Sequence, residues 1–213
     1  SSDVCSSDLM QNHWLKEGCP GYAPGAVDIV PNINRLADAM RSAGGTVAWV
    51  RMCASADVIE GWDVFADFVA RDGFMGPWAA SLTEGNIGMA FWHELDIHPT
   101  DEIVTKTRYS ALIQGASDLE ARLRRRDVDM VIITGVATNT CCEATARDAN
   151  MLNFRTIVVS DANAARSDTE HNGSLTNLFN LFADVMTTDE VLDRLQGAKE
   201  LERTLISAQI LSD

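Results

Sequence analysis

Basic residues are scarce in this chain, and its cysteines do not pair. Seventeen Lys and Arg face 31 Asp and Glu, a formal net charge of −14 over 213 residues with a pI near 4.6. Such a surface repels phosphate backbones and anionic bilayers, which argues against nucleic-acid and membrane partners. The one basic cluster, Arg122, Arg124, Arg125 and Arg126, runs straight into Asp127 and reads as a solvated helix end. Cys5, Cys19, Cys53, Cys141 and Cys142 form no CxxC pair and follow no regular spacing. Their odd number argues against a disulfide framework and for a reducing, cytoplasmic compartment. No apolar run approaches the length of a membrane span. Ser1 to Leu9 has neither a basic stretch nor an apolar one, so it does not read as a signal peptide.

What is present fits a single globular domain with a substantial core, 46% hydrophobic and 23% charged. Ile29, Ile33, Leu36 and Met40 recur at helical spacing, and Gly44-Gly45 stops that helix before a β-rich run from Thr46 to Val50. Residues 52 to 100 are irregular and rich in aromatics, with Trp62, Phe65, Phe68, Phe74, Trp78, Phe91 and Trp92, and read as a lid or binding insertion. Strands are expected from Glu102 to Thr105, from Met130 to Ile133, from Thr156 to Val159 and from Asp184 to Met186. Between them, helices are expected around Leu119 and Leu123, from about Cys141 to Leu152, along the face Leu175, Leu178, Phe179 and Phe182, and from Thr188 to Leu195. This alternation predicts a three-layer α/β/α fold with a mainly parallel central sheet.

Thr134-Gly-Val-Ala-Thr-Asn-Thr-Cys141-Cys142-Glu143 carries the strongest chemical signal. An apolar strand ends in a glycine turn, and a cysteine then opens a helix. Free N–H groups and the positive end of the helix dipole favour thiolate over thiol there, and can hold an oxyanion. Both Cys141 and Lys106 fall just past strand ends, where parallel sheets gather their reactive groups.

Three motifs resemble the isochorismatase-like cysteine hydrolases: Gly135-Val-Ala-Thr-Asn-Thr-Cys141-Cys-Glu-Ala-Thr145-Ala-Arg-Asp148-Ala149, Val104-Thr-Lys106-Thr-Arg-Tyr109-Ser110-Ala111, and Met10-Gln11-Asn12. The resemblance runs from about residue 10 to residue 197, and the first motif with Met151-Leu-Asn-Phe154-Arg155 is most similar to the ureidoacrylate and biuret amidohydrolase branch. It implies a C–N bond hydrolase for a small amide or ureido substrate, working through a covalent thioester. Cys141 would be the nucleophile and Lys106 its electrostatic partner, with an aspartate to shuttle protons. The amides of Ala137 and Cys141 would form the oxyanion hole, with a cis bond between Val136 and Ala137. Asn12, Tyr109 and Trp62 are placed at the substrate, although Tyr109 could equally well only pack. Arg108 or Arg51 could take a substrate carboxylate. Cys142 reads as a small buried hydrophobe, and Asp148 and Asp161 as caps or structural pairs.

The nicotinamidase branch of the family carries a histidine metal site after its second strand. The corresponding stretch here, Val50 to Asp57, has no histidine, so no metal and no other cofactor is expected. The resemblance further implies a homodimer or homotetramer. Two alternatives stand beside the amidohydrolase: vinyl-ether hydrolysis of the isochorismatase type, and a catalytically dead domain kept for oligomerisation or partner binding.

The amino terminus departs from the pattern. The family's aspartate immediately precedes Met-Gln, and Leu9 holds that place here. Asp8 is one residue early, on the opposite face of a regular strand, and is a poor stand-in unless the backbone bulges. Ser1 to Leu9 is polar where an apolar strand should stand, which predicts a non-native tail over residues 1–9, a truncated first strand, and a hydrolase domain over 10–213.

Overall fold

The computed structural model describes residues 3–54, 61–70 and 75–197. Its strands are β1 (Asp3–Asp8), β2 (Thr46–Met52), β3 (Glu102–Lys106), β4 (Met130–Val136), β5 (Arg155–Ala164) and β6 (Asp184–Met186). Its helices are α1 (Asn12–Leu15), α2 (Val30–Ser42), α3 (Asp63–Ala70), α4 (Met75–Ser81), α5 (Leu119–Arg125), α6 (Glu143–Met151), α7 (Asp168–Leu181) and α8, described from 188 to 197. The strands form one parallel sheet in the order β3-β2-β1-β4-β5-β6.

Helices cover both faces of this sheet, because a two-residue period sends alternate side chains to opposite sides. Along β2, Val47 and Trp49 pack on one side with Ile33, Leu36 and Met40 of α2 and with Val191 and Leu195 of α8. Ala48 and Val50 pack on the other side with Leu119 and Leu123 of α5, Ala146 and Ala149 of α6, and Leu178 of α7. The three-layer α/β/α architecture is therefore as expected.

Several local expectations change. The polar run expected to truncate the first strand instead forms β1 at the centre of the sheet, paired to β2 and β4. Val4 and Cys5 give it one apolar residue for each core, and backbone pairing on both edges supplies the rest. Residues 52–100 are less irregular than expected, since α3, α4 and a 3₁₀ turn at Ile87–Met89 lie within them. Phe74 and the Phe68 side chain lie outside the described residues, as do positions 55–57 of the stretch compared with the metal-binding branch and 198–213 of the expected domain. On α7, Phe179 is exposed rather than part of the core face, and Phe182 follows the helix end. Asn153 closes α6 with a φ of 66°, the left-handed stop read from the sequence.

Candidate active site

The strand order reverses direction between β1 and β4, and the carboxyl end of the sheet opens there. Asp8 ends β1, Lys106 ends β3, and Cys141 follows β4. β2 lies between β1 and β3, so any contact across it has to span two strand spacings, roughly 10 Å. A long lysine side chain can do so. Lys106 Nζ lies 3.1 Å from Asp8 Oδ1 and donates to the Tyr109 carbonyl at 2.6 Å, and both ion-pair members are withdrawn from solvent. The third neighbour of the ammonium is the Cys141 sulfur.

Asp8 faces Lys106 and α6, contrary to the expectation that its one-residue offset would turn it away. The physical reason follows at the next residue. Leu9 has a φ of 56°, so the extended backbone breaks immediately after Asp8, and Leu9 turns into the cavity wall. Thr145 of α6 fixes the carboxylate: its hydroxyl donates to Asp8 Oδ2 at 3.3 Å and accepts from the Ala111 amide at 3.1 Å. Thr145 stood in the quoted motif without a role, because only packing brings α6 against β1. Gly135 permits the close approach of β4. Its φ is 111°, and a Cβ there would fall 2.0 Å from the Asp8 carbonyl oxygen.

Cys141 does not open an α-helix. It sits in a π-helical turn, Thr138–Cys142, ahead of α6, and the Val136–Ala137 peptide before that turn is cis. Burial is the largest influence on its thiol, pushing it up to about 11 against the lowering effect of Lys106. Burial thus works against the thiolate that a helix start would favour. The Ala137 amide is directed at this sulfur. Burial likewise raises the Asp8 carboxyl, opposed by Lys106; burial is also the largest single influence on Lys106, lowering it, but Asp8 and the cysteine sulfurs together raise it.

A cavity of about 320 Å³ opens onto Cys141. Its walls include Trp14, Phe65, Trp78 and Tyr109, with Asn139, Arg166 and Glu170 supplying polar groups. Tyr109 is thus a lining residue. Trp62 is not: it stacks behind Phe65 at 4.3 Å between centroids. Asn12 is not at the cavity either, and its amide donates to the Ile87 carbonyl at 2.9 Å. The neighbouring Gln11 pins the end of β2 through the Met52 amide and carbonyl. Arg51 is engaged with Thr105, and Arg108 with the Thr107 and Gly61 carbonyls. Among the described residues, the cation lining the cavity is Arg166, which follows β5 and was not singled out from the sequence. Asp161 caps α8 through the Thr188 amide at 2.7 Å, the structural role expected of it. Among the described residues, no cluster of three His, Cys, Asp or Glu side chains could hold a metal ion.

A sequence model of the isochorismatase domain matches residues 9–190. The chain is 28% identical over 202 residues to an N-carbamoylsarcosine amidase from Arthrobacter, covering 92% of this chain and 72% of that protein. It is 30% identical over 177 residues to the ureidoacrylate amidohydrolase RutB of Agrobacterium fabrum, covering 72% of each. The structure of a cysteine hydrolase from Pseudomonas syringae superposes with a TM-score of 0.81 at 29% identity, covering 92% of this chain and 93% of that one. With this sheet order, these motifs and these relatives, the chain belongs to the isochorismatase family of hydrolases.

Proposed function

We propose that this protein is a metal-independent cysteine hydrolase that cleaves the C–N bond of a small amide or ureido compound. One observation carries the reading: a thiol lining a small cavity lies against a buried ammonium that pairs with a buried carboxylate, the three coming from separate strand ends. Amidohydrolases among the relatives support the bond type, and more than one substrate is named among them.

Asp8, with its proton affinity raised by burial, takes the proton from Cys141 as the sulfur attacks the carbonyl carbon. The new oxyanion is held by the amides of Ala137 and Cys141 with Lys106 nearby. Asp8 returns the proton to the departing nitrogen, the C–N bond breaks, and ammonia or an amine leaves a thioester on Cys141. Water, deprotonated by Asp8, attacks that carbonyl carbon. The C–S bond breaks, and the sulfur recovers its proton from Asp8. Lys106 keeps its charge throughout.

The cavity suits a compact substrate with an apolar middle, and Arg166 at its edge suits a carboxylate or another anionic end. The test is ammonia release from a panel of biuret, ureidoacrylate, N-carbamoylsarcosine, maleamate and nicotinamide. Turnover of at least one carboxylate-bearing amide is expected, with Cys141→Ser silent and Arg166→Met raising KM about tenfold or more. Full activity of Cys141→Ser would overturn the reading.

A further inference from the structure

The turn that carries Cys141 is clamped from behind by α7, through contacts the reaction itself does not use. Thr138, the first residue of the turn, is fully buried. Its hydroxyl lies 2.8 Å from His171 Nδ1. The Thr138 carbonyl faces the Ser174 hydroxyl at 3.2 Å, and that hydroxyl is 2.6 Å from Glu143 Oε2. A hydroxyl has one proton, so the shorter contact to the Glu143 carboxylate takes it and the Thr138 carbonyl holds only a weak share. Glu143 is in turn paired with Arg147 at 2.7 Å. The Thr138–His171 bond is therefore the direct strut between α7 and the amino-terminal end of the turn.

The protonation of His171 sets the sense of that strut. The Ser160 carbonyl of β5 also faces the ring and requires an N–H from it. In the neutral tautomer that carries its proton on Nε2, Nδ1 accepts from the Thr138 hydroxyl. We propose that neutral His171 is a positioning residue, which holds Thr138 and so fixes the Ala137 and Cys141 amides where the oxyanion forms. His171 touches neither the cavity nor the sulfur. A doubly protonated ring would donate from Nδ1 to the Thr138 hydroxyl oxygen, so the contact would reverse its sense and persist. The groups facing the ring are the Thr138 hydroxyl from the turn, the Ser160 carbonyl from β5 and Asp168 from its own helix. Burial favours the neutral ring here more than Asp168 favours the charged one.

The inference rests on the proposed hydrolase reading and is tested in the intact, active protein. Thr138→Val removes the hydroxyl while keeping the shape, His171→Ala removes the acceptor, and His171→Asn replaces it with an amide oxygen near Nδ1. The first two should lower kcat roughly 10–100-fold, the scale of a misplaced reacting group, with KM within about twofold. His171→Asn should recover most of kcat. Alkylation of Cys141 by iodoacetamide should proceed in all three within about twofold of the wild-type rate, showing that the turn is folded and the thiol present. Wild-type kcat in both Thr138→Val and His171→Ala would overturn the inference, as would a His171→Asn variant no better than His171→Ala. Neither result would touch the nucleophile assignment, which Cys141→Ser decides by itself.

Discussion

Asp8 Oδ1 and Lys106 Nζ lie 3.1 Å apart with both side chains almost fully shielded from water. Two opposite charges tolerate that burial better together, so each favours the charged form of the other against the burial that opposes both. Asp8→Asn should abolish turnover and also destabilise the fold by about 3–5 kcal/mol, since it strands an ammonium in the interior. Lys106→Met should do the same from the other side. Chemical denaturation and ammonia release measure the two effects. A Leu9→Asp change added to Asp8→Asn is expected to leave the protein inactive, because residue 9 turns into the cavity wall. Recovered turnover in that double variant would show that position 9, not position 8, supplies the acid.

The Cys141 thiol should react slowly with iodoacetamide at neutral pH. With the thiol pushed up to about 11, its thiolate fraction is small at pH 7 and rises about tenfold per pH unit up to that value. The alkylation rate should climb without a plateau between pH 7 and 10, and a bound substrate analogue should slow it. A plateau near pH 8 would mean that Lys106 outweighs burial.

β1 should be open to stabilisation. Ser7 is buried in the central strand, and its hydroxyl has no hydrogen-bond partner among the described residues. A buried unpaired hydroxyl costs about 1–3 kcal/mol, so Ser7→Ala should raise stability by about 1–2 kcal/mol. In a domain of this size that is a rise in Tm of roughly 2–8 °C. An unchanged or lower Tm would mean that the serine has a partner.

His13 should make the protein acid-sensitive. The ring is fully buried between Trp14 and Trp78, with both nitrogens unpartnered among the described residues. Burial, reinforced by Arg166, brings its pKa from 6.5 down to about 4. Between those values the unfolded chain binds the proton and the folded one does not, so stability falls as pH drops from 6.5 to 4. The loss from this group alone is roughly 3 kcal/mol. His13→Phe should remove that part of the slope in urea melts taken across the same range.

Much of the site was legible in the sequence because its members sit on local signals. A strand-ending glycine followed by a small-polar turn marks Cys141, and a β-branched strand ending in Lys marks Lys106. The periodicity of Ile33, Leu36 and Met40 marks α2 equally well. What escaped was of another kind. Thr145 and Arg166 acquire their places only when α6 packs on β1 and β5 ends at the cavity. The thiol's raised proton affinity comes from burial, which outweighs the local helix-start argument.

By itself the sequence determined the alternating parallel fold, the order of the motifs and the proposal of Cys141 as nucleophile, since each depends on the period and chemistry of adjacent residues. Which way Asp8 faces was decided only in three dimensions. There a single left-handed residue, Leu9, breaks the strand, while Gly135 and Thr145 from distant segments bring a backbone and a hydroxyl against it. A strand's period fixes the alternation of its faces only while the strand stays regular, and here the irregularity falls at the residue that matters.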